Sequence, residues 1–508
     1  MAQLIRQADV PIHQPHRPDS RPFLFSRVWQ VALLIPVILL DHGYHPYADD
    51  AGLYVAGLRR ILHPTLYPRN SAFVTAQTHG SVLPWLMAGV VWATHLPLAW
   101  ILFAAYLLSV VVFLAGCQAV ASRLFASEIA QVSAVCAAAV CFTIPAAGTA
   151  LFLMDPYVTA RSFSTPIALF AVAACLDRAW TRTVLLLLMA LLMHPLMGSF
   201  VVAFVLLQSL IAVGRVRSAL MLCAAGCAGF GAAFLAAHFL PSPPAYRQIL
   251  SLRRFLFLAR WHWYEQLGLA LPLLLLAIAV WRLGSSTRRG SVCLACILLG
   301  VSSVLVSAFF VPVSGPYLLV PLQVLRSFQL IYLLGVLQLG GWLNTLRPRS
   351  WFVPAALLGL VFLLMFGVQR VTWGASGLLE LPGTQPVNPW ERAFLWIRAN
   401  TPGNAVFAFS PQMVLLRGED EQGFRAISER DQLADYKDAG VAVLLPRLAV
   451  RALRDIRAEQ HIGTMTDAQR LALLRPLGAS WILLSPSALT HLPCPWHNRA
   501  VQVCRLVH

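Results

Sequence analysis

The chain has 508 residues, of which 58% are hydrophobic and only 12% charged. Soluble proteins carry roughly twice that charge fraction, and apolar runs of about 17–25 residues, the length that crosses a bilayer, recur along the chain, so a soluble globular protein is excluded and a polytopic membrane protein is predicted. The net charge of +17 rests on arginine, with one lysine, Lys437; in such a chain the excess sets topology and meets anionic headgroups, and nucleic-acid binding is not expected.

Residues 1–27 read as a cytoplasmic tail bearing Arg6, Arg17, Arg21 and Arg27. The apolar run 28–40 that follows has no small-residue cleavage site after it and reads as a retained span. Further apolar segments fall near 81–97, 98–121, 128–147, 164–177, 183–213, 218–240, 266–281, 291–311, 317–343 and 351–368. All should be helical, because backbone exposed to lipid must satisfy its own hydrogen bonds. Arginines mark the short connections 122–127, 178–182, 214–217, 282–289 and 344–350 (the last with Arg347 and Arg349), which the positive-inside rule places in the cytoplasm. The loops 41–80, 148–163 and 241–265 then face outward. In this scheme 81–121 crosses once overall and 183–213 goes out and back, turning at His194-Pro195 with a first arm of only about 18 Å. A rival scheme makes 183–213 one kinked helix and lets 81–97 and 98–121 both cross, but it leaves Arg178 and Arg182 outside. Both give about eleven crossings and a transmembrane domain over 28–370.

After residue 370 the charge rises and the apolar runs shorten. Residues 371–389, ending Pro-Gly-Thr-Gln-Pro-Val-Asn-Pro, read as a linker, and 390–508 as a small soluble α/β domain. Its elements are a helix over 389–399, a strand over 405–409, helices near 445–459 and 466–475, and strands over 480–485 and 500–506. The charge-dense runs Ser428–Asp431 and Tyr436–Asp438 read as a solvated face. Of ten cysteines, eight lie in apolar segments and read as small packing residues. Cys223/Cys227 and Cys293/Cys296 fall at helical i,i+4 and i,i+3 spacing within apolar runs, where a metal site is the alternative to packing. Cys494 and Cys504 would pair in an oxidising compartment.

The outward loop 41–80 is polar, aromatic and rich in histidine. It places adjacent carboxylates, Asp49 and Asp50, just outside the first span. Such a pair can take a proton from an attacking hydroxyl or hold a divalent cation; the structural alternative is a cap on an amphipathic helix over 51–62. Arg59 and Arg60 end that helix and can clamp a lipid phosphate, or simply touch headgroups. Tyr54 belongs to a sugar site or to an interfacial aromatic belt. Asp155 and Arg161 interrupt apolar segments and must either pair or line a cavity. His194 breaks a strongly apolar run, as a packing residue or as part of a site. Arg254, in the patch Arg253-Arg254 to Trp263, and Arg326 are further phosphate candidates. There is no Gly-Lys-Ser/Thr phosphate loop and no dinucleotide fingerprint, so ATP-driven transport and nicotinamide chemistry lack support.

Taken together, His45-Pro46-Tyr47-Ala48-Asp49-Asp50-Ala51-Gly52-Leu53-Tyr54 and the later run Trp390 to Pro402 resemble the bacterial GT-C superfamily of polytopic glycosyltransferases. The acidic motif sits in the first outward loop, beside a juxtamembrane helix; here the acids are contiguous, which leaves the base open between Asp49 and Asp50. The resemblance implies an all-α transmembrane bundle with a C-terminal periplasmic α/β domain in the bacterial inner membrane. It implies transfer of a sugar from a polyprenyl-phosphate carrier to a glycan, lipid or protein acceptor, with inversion at the anomeric carbon. Asp49 or Asp50 would be the base, and Arg59, Arg60, Tyr54, Asp155, Arg161, His194, Arg254 and Arg326 would line the substrate site among membrane lipids. No resident cofactor is required, though a divalent cation could join the acids. A non-catalytic transporter or scaffold for lipid-linked glycans is the alternative.

Overall fold

The computed structural model describes residues 22–240, 242–346, 352–415 and 423–506. Arg6, Arg17 and Arg21 of the expected tail, and Arg347 and Arg349 of the last short connection, lie outside the described residues. Two compact units emerge: one holds the chain up to Gly43 with Ala105–Pro241 and Arg254–Gly367, the other Tyr44–Ala104, Ser242–Arg253 and Val368–His508.

The first unit is helical. Over the whole chain, seven helices among the described residues are long and apolar enough to cross a membrane: Leu98–Leu124, Pro195–Ala212, Val216–Ala237, Trp263–Leu283, Arg288–Phe310, Val320–Leu343 and Phe352–Thr372. Leu83–Thr94, Glu128–Val140, Arg161–Leu176 and Trp180–Met193 are apolar but shorter, and the first helix is Pro22–His42; the eleven crossings expected are therefore not all matched in length, a full crossing needing about 20 residues. The segment 183–213 is a hairpin. His194 is extended (φ −151°, ψ 95°) between helices Trp180–Met193 and Pro195–Ala212. Gly198 comes so close that a Cβ there would lie 2.8 Å from the Leu191 nitrogen, a distance a continuous helix does not give residues seven apart. The out-and-back scheme therefore describes this region. Small residues allow the helices of this unit to approach closely, as is common where lipid leaves no hydrophobic drive between them. Gly340 on helix Phe328–Leu346 is one such point, with a Cβ 2.5 Å from that of Ala137.

The second unit is built on a five-stranded sheet: β1 Val406–Ala408, β2 Asp431–Gln432, β3 Trp481–Leu484, β4 Trp496–His497 and β5 Gln502–Arg505, in the order β2-β1-β3-β5-β4. β1 runs parallel to β2 and β3, whereas β5 is antiparallel to β3 and β4. Alternation along the strands feeds two cores. Phe407, Trp481, Leu483 and Val503 pack with Phe394, Ile397 and Phe424 on one face; Ala408, Ile482, Leu484 and Cys504 pack with Leu474 on the other. Cys494 and Cys504 form a disulfide. The helices read from sequence appear as Pro389–Asn400, Ala449–Glu459 and Asp467–Leu474.

One expectation is overturned. The charge-dense runs are not a solvated face: Ser428, Arg430, Asp431 and Asp438 are buried, as are Arg425 and Asp435. They are covered because the unit also takes in helices Asp50–Leu62, Ser71–His79 and Pro244–Ser251, which the sequence separates from them by hundreds of residues. The Asp431 carboxylate accepts the backbone N–H groups of Arg69 (2.9 Å) and Asn70 (3.1 Å). The Tyr246 hydroxyl donates to the Val443 carbonyl at 3.0 Å.

Helix Asp50–Leu62 meets the C-terminal segment backbone to backbone at Gly52. A Cβ there would lie 2.8 Å from the Gly423 Cα and 3.3 Å from the Tyr47 carbonyl oxygen. Gly52→Ala would gain about 1 kcal/mol of helix propensity, but neither backbone neighbour can rotate away and overpacking costs about 1–3 kcal/mol. A lower thermal midpoint is expected for this variant in the purified protein, and an unchanged or raised one would show that the contact yields.

Candidate functional site

In the second unit, helix Asp50–Leu62 begins at the acidic pair. Asp49 takes its N-cap position with φ 47° and ψ −123°, and its side chain makes no capping hydrogen bond. That backbone region is sparsely populated for residues with a Cβ and costs of order 1–3 kcal/mol, a cost that recurs at functional sites. Capping therefore does not explain Asp49. The Lys437 ammonium contacts its carboxylate and stands 3.5 Å from that of Asp50. Both acids keep about a quarter of their side-chain surface exposed (26% and 28%). The helix start, unlike an extended segment, lets adjacent side chains converge on one cation.

Lys437 is fixed from below. It sits on helix Tyr436–Leu444, whose N-terminus carries a reciprocal cap between Asp435 and Asp438. Asp438 also receives a two-pronged hydrogen bond from Arg425 (2.9 and 2.7 Å), with Asp431 3.9 Å from the same guanidinium. Arg253 lies 4.1 Å over the Tyr436 ring and donates to its carbonyl at 2.9 Å. Burial, with the neighbouring Asp438 charge, raises the Asp435 carboxyl to about 6. Burial pushes the Lys437 amine down, to about 7, and the two carboxylates beside it act against that by favouring the cation. The place between the acids that a divalent cation would take is held by this ammonium. Among the described residues, no group of three or more His, Cys, Asp or Glu side chains is placed to hold a metal ion.

Arg59 pairs with Glu429, which also pairs with Arg398 at 2.8 Å. Arg60 donates to the Leu66 carbonyl, and Tyr54 is half-buried on the same helix. Beside Arg59 opens a cavity of about 210 Å³ lined by Tyr44, Tyr47, Glu380, Glu391 and Arg398, among others. The segment read as a linker builds one wall: Tyr44 donates its N–H to the Leu378 carbonyl and Glu380 donates its N–H to the Tyr44 carbonyl, each at 3.0 Å. The His45 ring stacks on Trp373 with centroids 4.9 Å apart and lies 3.7 Å from Glu380. Burial, and then the Glu380 charge, push the Glu391 carboxyl up to about 8. Sequence reading passed over Lys437, Glu380, Glu391, Arg398 and Glu429. The only local signal was rarity: a single lysine, and isolated acids in a chain with 21 acidic residues.

The remaining candidates lie in the first unit. Asp155 and Arg161 pair, with Nη2–Oδ2 at 3.0 Å, and Thr159 donates to the same carboxylate at 2.9 Å. Both charges are buried. His194 caps helix Pro195–Ala212, its Nδ1 accepting the Met197 N–H at 3.4 Å. Arg254 pairs with Glu265 at 2.7 Å and is partly exposed. The Arg326 guanidinium stands 5.4 Å from the Phe255 ring centre and borders two small cavities of about 20 Å³, each with room for about one water. Asp41, also passed over, is fully buried, 3.3 Å from Nε2 of His42, whose Nδ1 meets the Thr143 hydroxyl at 2.8 Å. The expected site residues thus fall into two groups. Asp49, Asp50, Tyr54, Arg59 and Arg60 belong to the second unit, and Asp155, Arg161, His194, Arg254 and Arg326 to the first.

A domain family of unknown function, DUF6798, matches residues 388–442. That stretch holds Glu391, Arg398, Arg425, Glu429, Lys437 and Asp438, most of the C-terminal share of the charge network. No curated protein sequence matches the chain. Among solved structures, an oligosaccharyltransferase from Archaeoglobus fulgidus, tethered to an acceptor peptide, aligns at 11% identity with a TM-score of 0.48, over 90% of this chain and 69% of its own. The arabinofuranosyltransferase AftD from Mycobacteria aligns at 14% and 0.44, over 93% and 37%. ArnT from Cupriavidus metallidurans, bound to undecaprenyl phosphate, aligns at 13% and 0.38, over 96% and 99%. With TM-scores below 0.5, none of these likenesses assigns an activity to this chain.

Proposed function

We propose that this protein is a membrane glycosyltransferase of GT-C type that moves a sugar from a polyprenyl-phosphate carrier to a hydroxyl-bearing acceptor. The observation that carries the reading is Asp49, held in a strained backbone conformation beside Asp50, without a capping role, on the chain's one lysine. The acceptor oxygen attacks the anomeric carbon and its proton passes to Asp49 or Asp50. The bond from that carbon to the carrier phosphate breaks, and polyprenyl phosphate leaves with its electron pair. Arg60, half-buried near the end of helix Asp50–Leu62, is the group proposed to meet the phosphate charge, through a bidentate guanidinium contact. Positioning and charge stabilisation supply the rate, because the donor is already activated. The Cys494–Cys504 disulfide supports an oxidising, periplasmic location for the second unit.

The test is transfer of a labelled sugar from a polyprenyl-phosphate carrier by membranes holding the parent, Asp49→Asn or Asp50→Asn. Loss of general-base catalysis costs about 10²–10⁴-fold, expected for at least one of the two. Undiminished transfer in both overturns the base assignment. A parent that transfers from no such donor favours a transporter or scaffold.

A further inference from the structure

The cavity beside Arg59 has no role in the chemistry just described, and its lining selects among ligands. Glu391 is 8% exposed and its Oε2 has no hydrogen-bond partner among the described residues. A buried carboxyl left in that state costs free energy that a donor group entering the cavity would recover. Its backbone is fixed: Glu391 lies in the first turn of helix Pro389–Asn400, where Asn388 accepts its N–H. Across the cavity are two guanidiniums, Arg59 and Arg398, and both are engaged by Glu429. Their charge is already met, so the cavity offers no surplus positive field for a phosphate. Counting Glu380, Glu391 and Glu429 against the two arginines leaves it neutral or slightly acidic. Tyr44 and Tyr47 add flat aromatic walls. The volume of about 210 Å³ equals roughly seven waters at ~30 Å³ each, a space suited to one sugar ring.

We propose that this cavity binds a neutral sugar ring of the acceptor, with Glu391 and Glu380 receiving its hydroxyls, Arg59 and Arg398 donating to its oxygens, and the tyrosines packing on its face. Only the word acceptor rests on the transferase reading; sugar binding does not. The groups facing Glu391 are Glu380 on the linker wall, Tyr47 in the loop, Arg59 on helix Asp50–Leu62 and Arg398 on its own helix, with His45 behind Glu380 and Glu429 behind the arginines. A Glu391 held protonated into the alkaline range also donates its own O–H to a sugar oxygen; ionisation removes that donor, so binding should weaken as pH rises through about 8.

The experiment is ligand-observed saturation-transfer NMR on the full-length protein in nanodiscs. The probes are the methyl α-glycosides of glucose, mannose, galactose and arabinofuranose, with glucuronate and glucosamine as the anionic and cationic counterparts. At least one neutral glycoside is expected to bind in preference to glucuronate and glucosamine. Glu391→Ala should weaken it about tenfold or more, whereas Glu391→Gln, which keeps the shape, should retain measurable binding and lose the decline above pH 8. The proposal is overturned if no neutral glycoside binds, if glucuronate or glucosamine binds more tightly, or if Glu391→Ala binds like the parent while matching its thermal midpoint. If Glu391→Ala does not fold, the pH response of Glu391→Gln decides, and a decline identical to the parent's overturns the proposal. Glycoside binding in a parent without transfer activity would sink the transferase reading and leave this site standing; transfer without glycoside binding would do the reverse.

Discussion

Arg425→Ala is expected to destabilise the second unit by about 3–5 kcal/mol, the cost of breaking a buried ion pair from one side. Arg425 is 5% exposed and Asp438 fully buried, so the variant strands a carboxylate where water cannot reach it. The loss spreads. Asp438 also accepts the Asp435 N–H at the start of the helix bearing Lys437, and Asp431 loses a nearby guanidinium while still holding the Arg69 and Asn70 N–H groups. Both the helix start and the seam to the loop before helix Ser71–His79 are weakened together. Against total stabilities of about 5–15 kcal/mol, a cost of this size removes a large share of the folding free energy. Thermal or denaturant unfolding of the purified protein measures it. Replacing Arg425 and Asp438 together by apolar residues should recover part of the loss, since a well-packed apolar pair can match a buried ion pair, but not the part due to the cap. A midpoint within a degree of the parent in the single variant would show that the guanidinium is dispensable.

Lys437→Met should act on chemistry before stability. The ammonium lies against both candidate bases and favours their ionised forms. Without it, two adjacent carboxylates face each other with no cation between them, and like-charge repulsion raises the apparent pKa of the pair. The sign follows directly: a base with a raised pKa becomes protonated at higher pH, so the acid limb of the transfer profile moves up, by about one pH unit or more where one unit corresponds to 1.36 kcal/mol. Lys437→Arg keeps the charge and should keep the limb near its original position. If Lys437→Met lowers transfer at every pH by the same factor, the lysine is a structural support and does not tune the base.

Much of this molecule is legible in local sequence. Hydropathy over windows of bilayer length finds the long helices, and His194-Pro195 announces the hairpin because proline cannot continue the preceding helix and restricts the residue before it. The strands over 406–408, 481–484 and 502–505 and the pairing of Cys494 with Cys504 are likewise local signals. Span lengths were less readable: 81–97 reads as an apolar segment of bilayer length, yet His95 adopts a left-handed conformation (φ 55°) that ends helix Leu83–Thr94 after twelve residues.

The site was half-visible. Asp49, Asp50, Arg59 and Arg60 stand out because they are charged residues beside an apolar span, a pattern contained within twenty residues. Lys437, Glu391 and Arg425 do not, since their composition alone reads as solvated surface. Local composition sets the solvent each segment requires, lipid or water, because that follows from the summed transfer free energy of neighbouring side chains. Which charges are buried, and with whom, depends on long-range packing. The partner of Asp49 is 388 residues away, and a charge-dense segment becomes interior only when three distant helices close over it and supply the hydrogen bonds that its desolvation demands.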